Sequence, residues 1–140
     1  MLFDTTTEFG ARIVQRLRDE EVIWLTTVNS DHKPEPSPVW FLWDGADTIL
    51  IYSQPDKPKL RNIAENPIVA LNFNTTPTGE DVVVLSGEAA LDDQAPPPSA
   101  DAAYLAKYRA AIQRIGYDPE QFAQSYSVPI RVRLTKVRGF

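Results

Sequence analysis

The sequence contains no cysteine, one histidine and one methionine in 140 residues. Disulfides, thiolate nucleophiles and Cys-ligated zinc are therefore excluded, and the scattered carboxylates do not build a metal site. The histidine, His32, sits in Asn29-Ser30-Asp31-His32-Lys33-Pro34, whose turn chemistry places it at the surface. A Ser-His-Asp triad would have to recruit it, and no feature sets a serine beside it. The six glycines form neither GxGxxG nor GxxxxGK[ST], so the usual phosphate-gripping loops are missing. No apolar run approaches the roughly 18 residues of a membrane span. The start, Met1-Leu2-Phe3-Asp4, lacks a basic region followed by an apolar stretch, so a signal peptide is not expected and a cytoplasmic location is. Positive charge is scarce: 14 Lys and Arg against 19 Asp and Glu give a net charge of -5. Nucleic acid and anionic membrane are poor partners for such a chain. Asp92-Asp93 reads as a solvated loop pair. With side-chain machinery for hydrolysis or phosphoryl transfer absent, a cofactor is expected to carry any chemistry.

What is present suits one domain over 1–140 with a real core. Thr5-Thr6-Thr7-Glu8 reads as a capping box, and Phe9, Ile13, Val14 and Leu17 follow helical spacing, giving a helix over 6–19 with Arg12, Arg16 and Asp19 outward. Strands are expected over 22–28, 37–43, 48–53, 68–74, 82–91 and 128–137, with Gly87 as a bulge. In the second of these, Val39, Phe41 and Trp43 share one face and Trp40 and Leu42 the other. A strand apolar on both faces requires a further layer: a helix, a ligand or a second subunit. Gln94-Ala95-Pro96-Pro97-Pro98-Ser99 is a stiff surface crossover. Ser99 is expected to cap a helix over 100–114 closed by Gly116, and Asp118-Pro119 to start another. Six hairpin-joined strands with helices at the start and near the end make a small antiparallel barrel with added helices.

The rest of the chain is organised around Ser53-Gln54-Pro55-Asp56-Lys57-Pro58-Lys59-Leu60-Arg61-Asn62. This stretch follows the apolar Ile49-Leu50-Ile51-Tyr52 and leads to Asn66-Pro67, where the proline discourages further helix. Asp56 is expected as N-cap and Pro58 in the first turn. Lys57, Lys59 and Arg61 then stand at the helix end whose dipole disfavours cations, by roughly 0.3–1 kcal/mol per charge. Amides and cations converging there suit a phosphate or carboxylate. A solvated basic turn would use the same residues, and the local sequence leaves both readings open. Lys59 and Asn62 share one helix face, and Lys57 and Arg61 another, so one pair is expected at the anion.

Pro38-Val39-Trp40-Phe41, Tyr52 through Asn62, and Asn66-Pro67-Ile68-Val69-Ala70-Leu71 together resemble the pyridoxamine 5'-phosphate oxidase-like split barrels, and within them the short deazaflavin (coenzyme F420)-dependent reductases. Trp24-Leu25-Thr26-Thr27-Val28 and Thr135-Lys136-Val137-Arg138-Gly139-Phe140 extend the match over nearly the whole chain. The resemblance implies a mainly β, six-stranded antiparallel split β-barrel with added helices, paired as a homodimer with cofactor at the interface. It implies Lys59 at the cofactor phosphate, with Ser53, Gln54, Lys57 and Pro58 in the same loop and Arg61 and Asn62 just beyond. Pro38, Val39, Trp40 and Phe41 would lie along the tricyclic ring, largely through backbone, with Thr26 nearby.

The implied cofactor is F420, with FMN as the alternative that local residues do not separate. The implied activity is hydride transfer to a small electron-poor substrate. A non-catalytic flavin or F420 carrier is one alternative and an FMN-dependent pyridoxamine phosphate oxidase-like enzyme another. Against the last, no Trp follows Trp43 to serve a substrate phosphate, and Ile68 stands where relatives commonly carry Arg. The catalytic residues stay unassigned, and a proton can come from water. Trp40 suits either core or ring contact. Arg131 and Arg133 suit a cofactor tail, a partner's carboxylates or solvent. Tyr126 and Asn74 could reach the site from a second subunit but receive no role.

Overall fold

A computed structural model describes residues 2–140. Seven strands form one antiparallel sheet in the order β2-β1-β5-β6-β7-β4-β3. They are β1 (Val22–Val28), β2 (Pro34–Trp40), β3 (Leu42–Trp43), β4 (Thr48–Ser53), β5 (Ile68–Asn72), β6 (Val83–Leu91) and β7 (Val128–Gly139). Four helices accompany them: α1 (Glu8–Asp19), α2 (Pro58–Glu65), α3 (Ala102–Arg114) and α4 (Pro119–Ser125). None is long and apolar enough to cross a membrane among the described residues.

The expected count of six strands becomes seven because the second is divided at Phe41. β2 pairs with β1 through Val22 and Trp40, whereas β3 pairs with β4 through Leu42 and Leu50. Between them the Phe41 amide donates to the Tyr108 hydroxyl at 2.8 Å. Its carbonyl accepts from that hydroxyl at 2.8 Å and from Lys107 Nζ at 3.0 Å. Helix α3 thus supplies the partners that a ladder would otherwise provide. The switch joins the two edges of the sheet through one residue, so the sheet curls upon itself. Gly87 is the expected bulge: the β6–β7 register shifts between Ser86 and Gly87. A Cβ there would meet Val132 Cγ1 at 2.6 Å and the Arg133 carbonyl oxygen at 2.9 Å.

Two apolar clusters follow from the strand parities. Val39, Phe41, Trp43, Ile49 and Ile51 join Ile23, Leu25, Leu71 and Leu85 inside the curled sheet, with Ile13 and Leu17 of α1. Leu50 and Tyr52, from the opposite face of β4, pack with Tyr104, Tyr108, Ile112 and Phe122, and Trp40 and Leu42 lie against them. The further layer required by the doubly apolar strand is therefore supplied, within one chain, by α3 and α4.

Several helix boundaries shift for local reasons. Thr7, not Thr5, caps α1, accepting from the Gly10 amide at 2.9 Å. Arg16, expected outward, is buried: it reaches the Asn74 carbonyl at 2.7 Å and the Asp81 carbonyl at 3.0 Å, with its guanidinium over the Phe73 ring. A short 3₁₀ turn, Pro98–Ala100, displaces the cap of α3 from Ser99 to Asp101, which accepts from the Tyr104 amide. Gly116 takes φ +87° after α3, and Asp118 and Gln121 form a capping box around Pro119.

Candidate functional site

A cavity of about 530 Å³ opens between β2, the end of β4, the start of α2 and the α3–α4 layer. Of the residues singled out from the sequence, Pro38, Val39, Trp40, Ser53, Gln54, Lys57, Pro58 and Lys59 line it. Thr26, Phe41, Arg61 and Asn62 do not.

The cationic wall is built by the start of α2. Lys57, not Asp56, is the N-cap, with extended backbone at φ -79°, ψ 139° and no side-chain cap bond. Lys57 and Lys59 both line the cavity while Arg61 is exposed, so the expected division into a Lys59–Asn62 pair and a Lys57–Arg61 pair is not what the site uses. Pro58 has no amide hydrogen, and no acidic residue occupies the first turn. The Lys59 amide therefore points from a helix end that lacks internal compensation. Neither lysine enters an ion pair among the described residues. Burial, and then the neighbouring Lys57 charge, hold the Lys59 ammonium below its usual pKa. An anion between the two lysines would relieve both effects.

Asn62 has a structural place. It is 1% exposed, and its amide nitrogen donates to Thr27 Oγ1 at 3.0 Å and to Glu35 Oε1 at 2.7 Å. It thereby ties α2 to β1 and β2, and both partners line the cavity. Gln54 reaches across the site: its Nε2 donates to Ser125 Oγ of α4 at 3.2 Å. Ser53 is buried, and its hydroxyl donates to the Gln54 carbonyl at 2.9 Å. Arg61 is exposed. Thr26 lies on the outward face of the sheet, opposite Ala70 and Pro36.

The remaining wall is aromatic. Trp40 stacks on Tyr108 with centroids 4.9 Å apart and planes at 10°, and on Phe122 at 5.5 Å and 20°. Tyr52, Tyr104, Phe122 and Tyr126 complete this side, with Ile115. Sequence reasoning missed Tyr104, Ile115 and Phe122, since no local signal brings these positions to a strand ending at 53, and it weighed Tyr126 only as a residue from a second subunit, whereas the same chain's Tyr126 lines the cavity. It also named Thr26 where Thr27 faces the cavity. The parity of Ile23, Leu25 and Thr27, all buried, was the available signal. Arg131 and Arg133 lie elsewhere, paired with Asp92 at 3.1 Å and Glu88 at 2.8 Å of their own chain. Asn74 accepts from Trp24 Nε1 at 3.0 Å, and His32 is exposed in the β1–β2 turn at φ +63°. No group of three or more His, Cys, Asp or Glu side chains poised for a metal occurs among the described residues.

A curled antiparallel sheet, backed by helices and holding a cavity with two lysines outside any ion pair at one wall and aromatic rings at the other, defines a split-barrel protein with one candidate ligand site. The chain belongs to the pyridoxamine 5'-phosphate oxidase family, whose sequence model matches residues 9–139. Among solved structures it is similar to a candidate pyridoxamine 5'-phosphate oxidase from Listeria innocua, at 24% identity and TM-score 0.67, covering 94% of this chain and 97% of that one. It is similar to an F420 reductase at 25% identity and TM-score 0.63, covering 89% and 94%. The fold is shared with HutZ, a heme storage protein from Vibrio cholerae, at 13% identity and TM-score 0.64, covering 95% of each chain. A search of curated proteins gave no match.

Proposed function

We propose that the cavity binds coenzyme F420, with FMN as the alternative occupant, and that the protein is an oxidoreductase acting on a small electron-poor substrate. The observation that carries this reading is the pair Lys57 and Lys59, unneutralised at the start of α2 and facing an aromatic-walled cavity. Its volume, about 530 Å³, falls within the range of small-molecule sites, roughly 300–1,000 Å³. The similarity to an F420 reductase favours the deazaflavin. The lining holds no His, Cys or Met, and the heme-ligand type it does hold is tyrosine, at Tyr52, Tyr104 and Tyr126.

When bound, either cofactor supplies hydride chemistry. The chain's residues do the rest. Lys59, through its ammonium and backbone amide, grips the phosphate, and Lys57 adds charge. The backbone of Pro38-Val39-Trp40 and the Trp40 edge set the ring, while Gln54 and Ser53 hold the loop against α4. The aromatic layer keeps water away from one side. We assign protonation of the product to solvent, because the carboxylate in the lining, Glu35, is already engaged by Asn62.

A homodimer fits the outward face of β1 and β5, where Trp24, Thr26, Ile68 and Ala70 lie and Ile68 is 55% exposed. A second copy there would bring Thr26 into an interface, and the assembly would have about twice the 15.7 kDa chain mass. Fluorescence or calorimetric titration with F420 and with FMN tests the binding: saturation at micromolar concentration supports the reading, and saturation by neither ends it.

The engagement of Glu35 also favours a second reading, a carrier that binds the same group without turnover. Mixing the reduced, loaded protein with quinones, nitroaromatics and enones separates the two, since only an enzyme reoxidises faster than free cofactor.

A further inference from the structure

Tyr52, Tyr104 and Tyr108 form one packed aromatic cluster, with Tyr104 4.9 Å from Tyr52, edge-on, and 4.8 Å from Tyr108, tilted, between ring centroids. Two of the three hydroxyls have backbone partners. Tyr52 donates to the Pro96 carbonyl at 2.7 Å, and Tyr108 bonds both the amide and the carbonyl of Phe41. Tyr104 is different. It is 0% exposed and lines the cavity, yet its hydroxyl is the one buried side-chain polar atom without a partner among the described residues. Leaving a buried hydroxyl unpaired costs stability that phenylalanine, equal in shape, would not lose. Such a group persists when something else completes it.

We infer that Tyr104 is a ligand-binding residue whose hydroxyl, closed off from solvent in this structure, is uncovered by a shift of the surrounding rings and donates a hydrogen bond to an acceptor, a carbonyl oxygen or ring nitrogen, on the edge of a flat conjugated heterocycle held in the cavity. The hydroxyl stays protonated at any working pH, because burial, and then the charges of Tyr108 and Tyr52, push its ionisation well above the ordinary tyrosine range. Phe122 is stacked by Trp40 and by Tyr126, so this wall meets a ligand through ring edges, and Phe122 has no polar atom to offer it. The cavity thus has two recognition ends that read different parts of one molecule: Lys57 and Lys59 for an anionic tail, and Tyr104 for the ring. This rests on the reading of the cavity as a flavin or deazaflavin site.

The test compares wild type, Tyr104→Phe and Lys59→Ala on four probes: riboflavin and the phosphate-free deazaflavin alcohol FO, then FMN and F420. Tyr104→Phe is expected to melt at the same temperature as wild type or higher without ligand. It is expected to bind all four probes about tenfold more weakly, since a ring contact does not depend on the tail. Lys59→Ala is expected to weaken only the phosphate-bearing pair. Unchanged affinity of Tyr104→Phe for probes that wild type binds overturns the role of Tyr104 alone and leaves the cavity reading standing. A melting temperature lowered by several degrees also overturns it, because the hydroxyl then had an internal or water partner. Failure of wild type to bind any of the four overturns both.

Discussion

Replacing Asn62 with alanine should loosen the cationic wall from the barrel. Helix α2 has no side-chain cap, a proline at its first position and no acidic residue in its first turn, so its placement depends on what its inner face meets. That face presents Ile63, in the core, and Asn62. Asn62 makes one bond to a neutral hydroxyl, worth about 0.5–1.5 kcal/mol, and one to a carboxylate, worth about 1.5–3 kcal/mol. Glu35 is solvent-exposed, so water replaces part of the second bond, whereas Thr27 is buried and left unpaired. The net loss should be about 1.5–3 kcal/mol of unfolding free energy. Urea titration followed by tryptophan fluorescence measures it. Asn62→Asp should cost more, because it sets a second carboxylate against Glu35. A loss below about 0.5 kcal/mol for the alanine variant would refute this anchoring role, since two lost bonds at a 1%-exposed residue cannot be that cheap.

Three further outcomes follow from the same geometry. Lys59→Ala should weaken cofactor binding by about 1.5–3 kcal/mol and exposed Arg61→Ala by less than about 0.5 kcal/mol, measured by calorimetry; equal effects would move the anion site along the helix. Gly87→Val should destabilise by about 1–3 kcal/mol in a denaturant melt, because its side chain would press on the Arg133 carbonyl and Val132, and a neutral effect would mean that the bulge can relax. Lys107, pushed down to about 8 by burial despite the nearby Glu21, Asp19 and Glu20, gives a pH signature. The unfolded chain binds this proton more tightly, so wild-type stability should gain on Lys107→Met as pH rises from 8 to 10, with a slope of at most about 1.4 kcal/mol per unit. The ring faces of Phe41 and Tyr108 favour the ammonium and reduce that slope, and a constant difference between the two proteins would show that Lys107 keeps its proton throughout.

The strands were legible because their alternation is strong. β1, β4, β6 and β7 lie within a residue or two of the runs that announce them. The doubly apolar strand also announced a further layer, though not that α3 and α4 would supply it. The division at Phe41 was not legible, since it depends on Tyr108 and Lys107, more than 60 positions away. Arg16 looked like an outward charge because a helical wheel carries no information about the Asn74 and Asp81 carbonyls waiting beside it. At the site, the clash between cations and a helix start singled out the loop but left an anion site and a solvated turn both open, and the second strand entered only through the family resemblance. Lys57 and Lys59 both reach the cavity as expected, whereas Arg61 is exposed and Asn62 is turned inward to Thr27 and Glu35. Tyr104 and Phe122 were hidden, because aromatic residues at helical spacing look alike whether they fill a core or wall a site.

The most direct measurement is a crystal structure of the protein grown with F420 or FMN at saturating concentration. The expected result is a phosphate within hydrogen-bonding distance of Lys59 Nζ and the Lys59 amide, with the ring between the Pro38-Val39-Trp40 backbone and the α3–α4 aromatics. A phosphate bound away from the start of α2, or a cofactor ring outside this cavity, would contradict it.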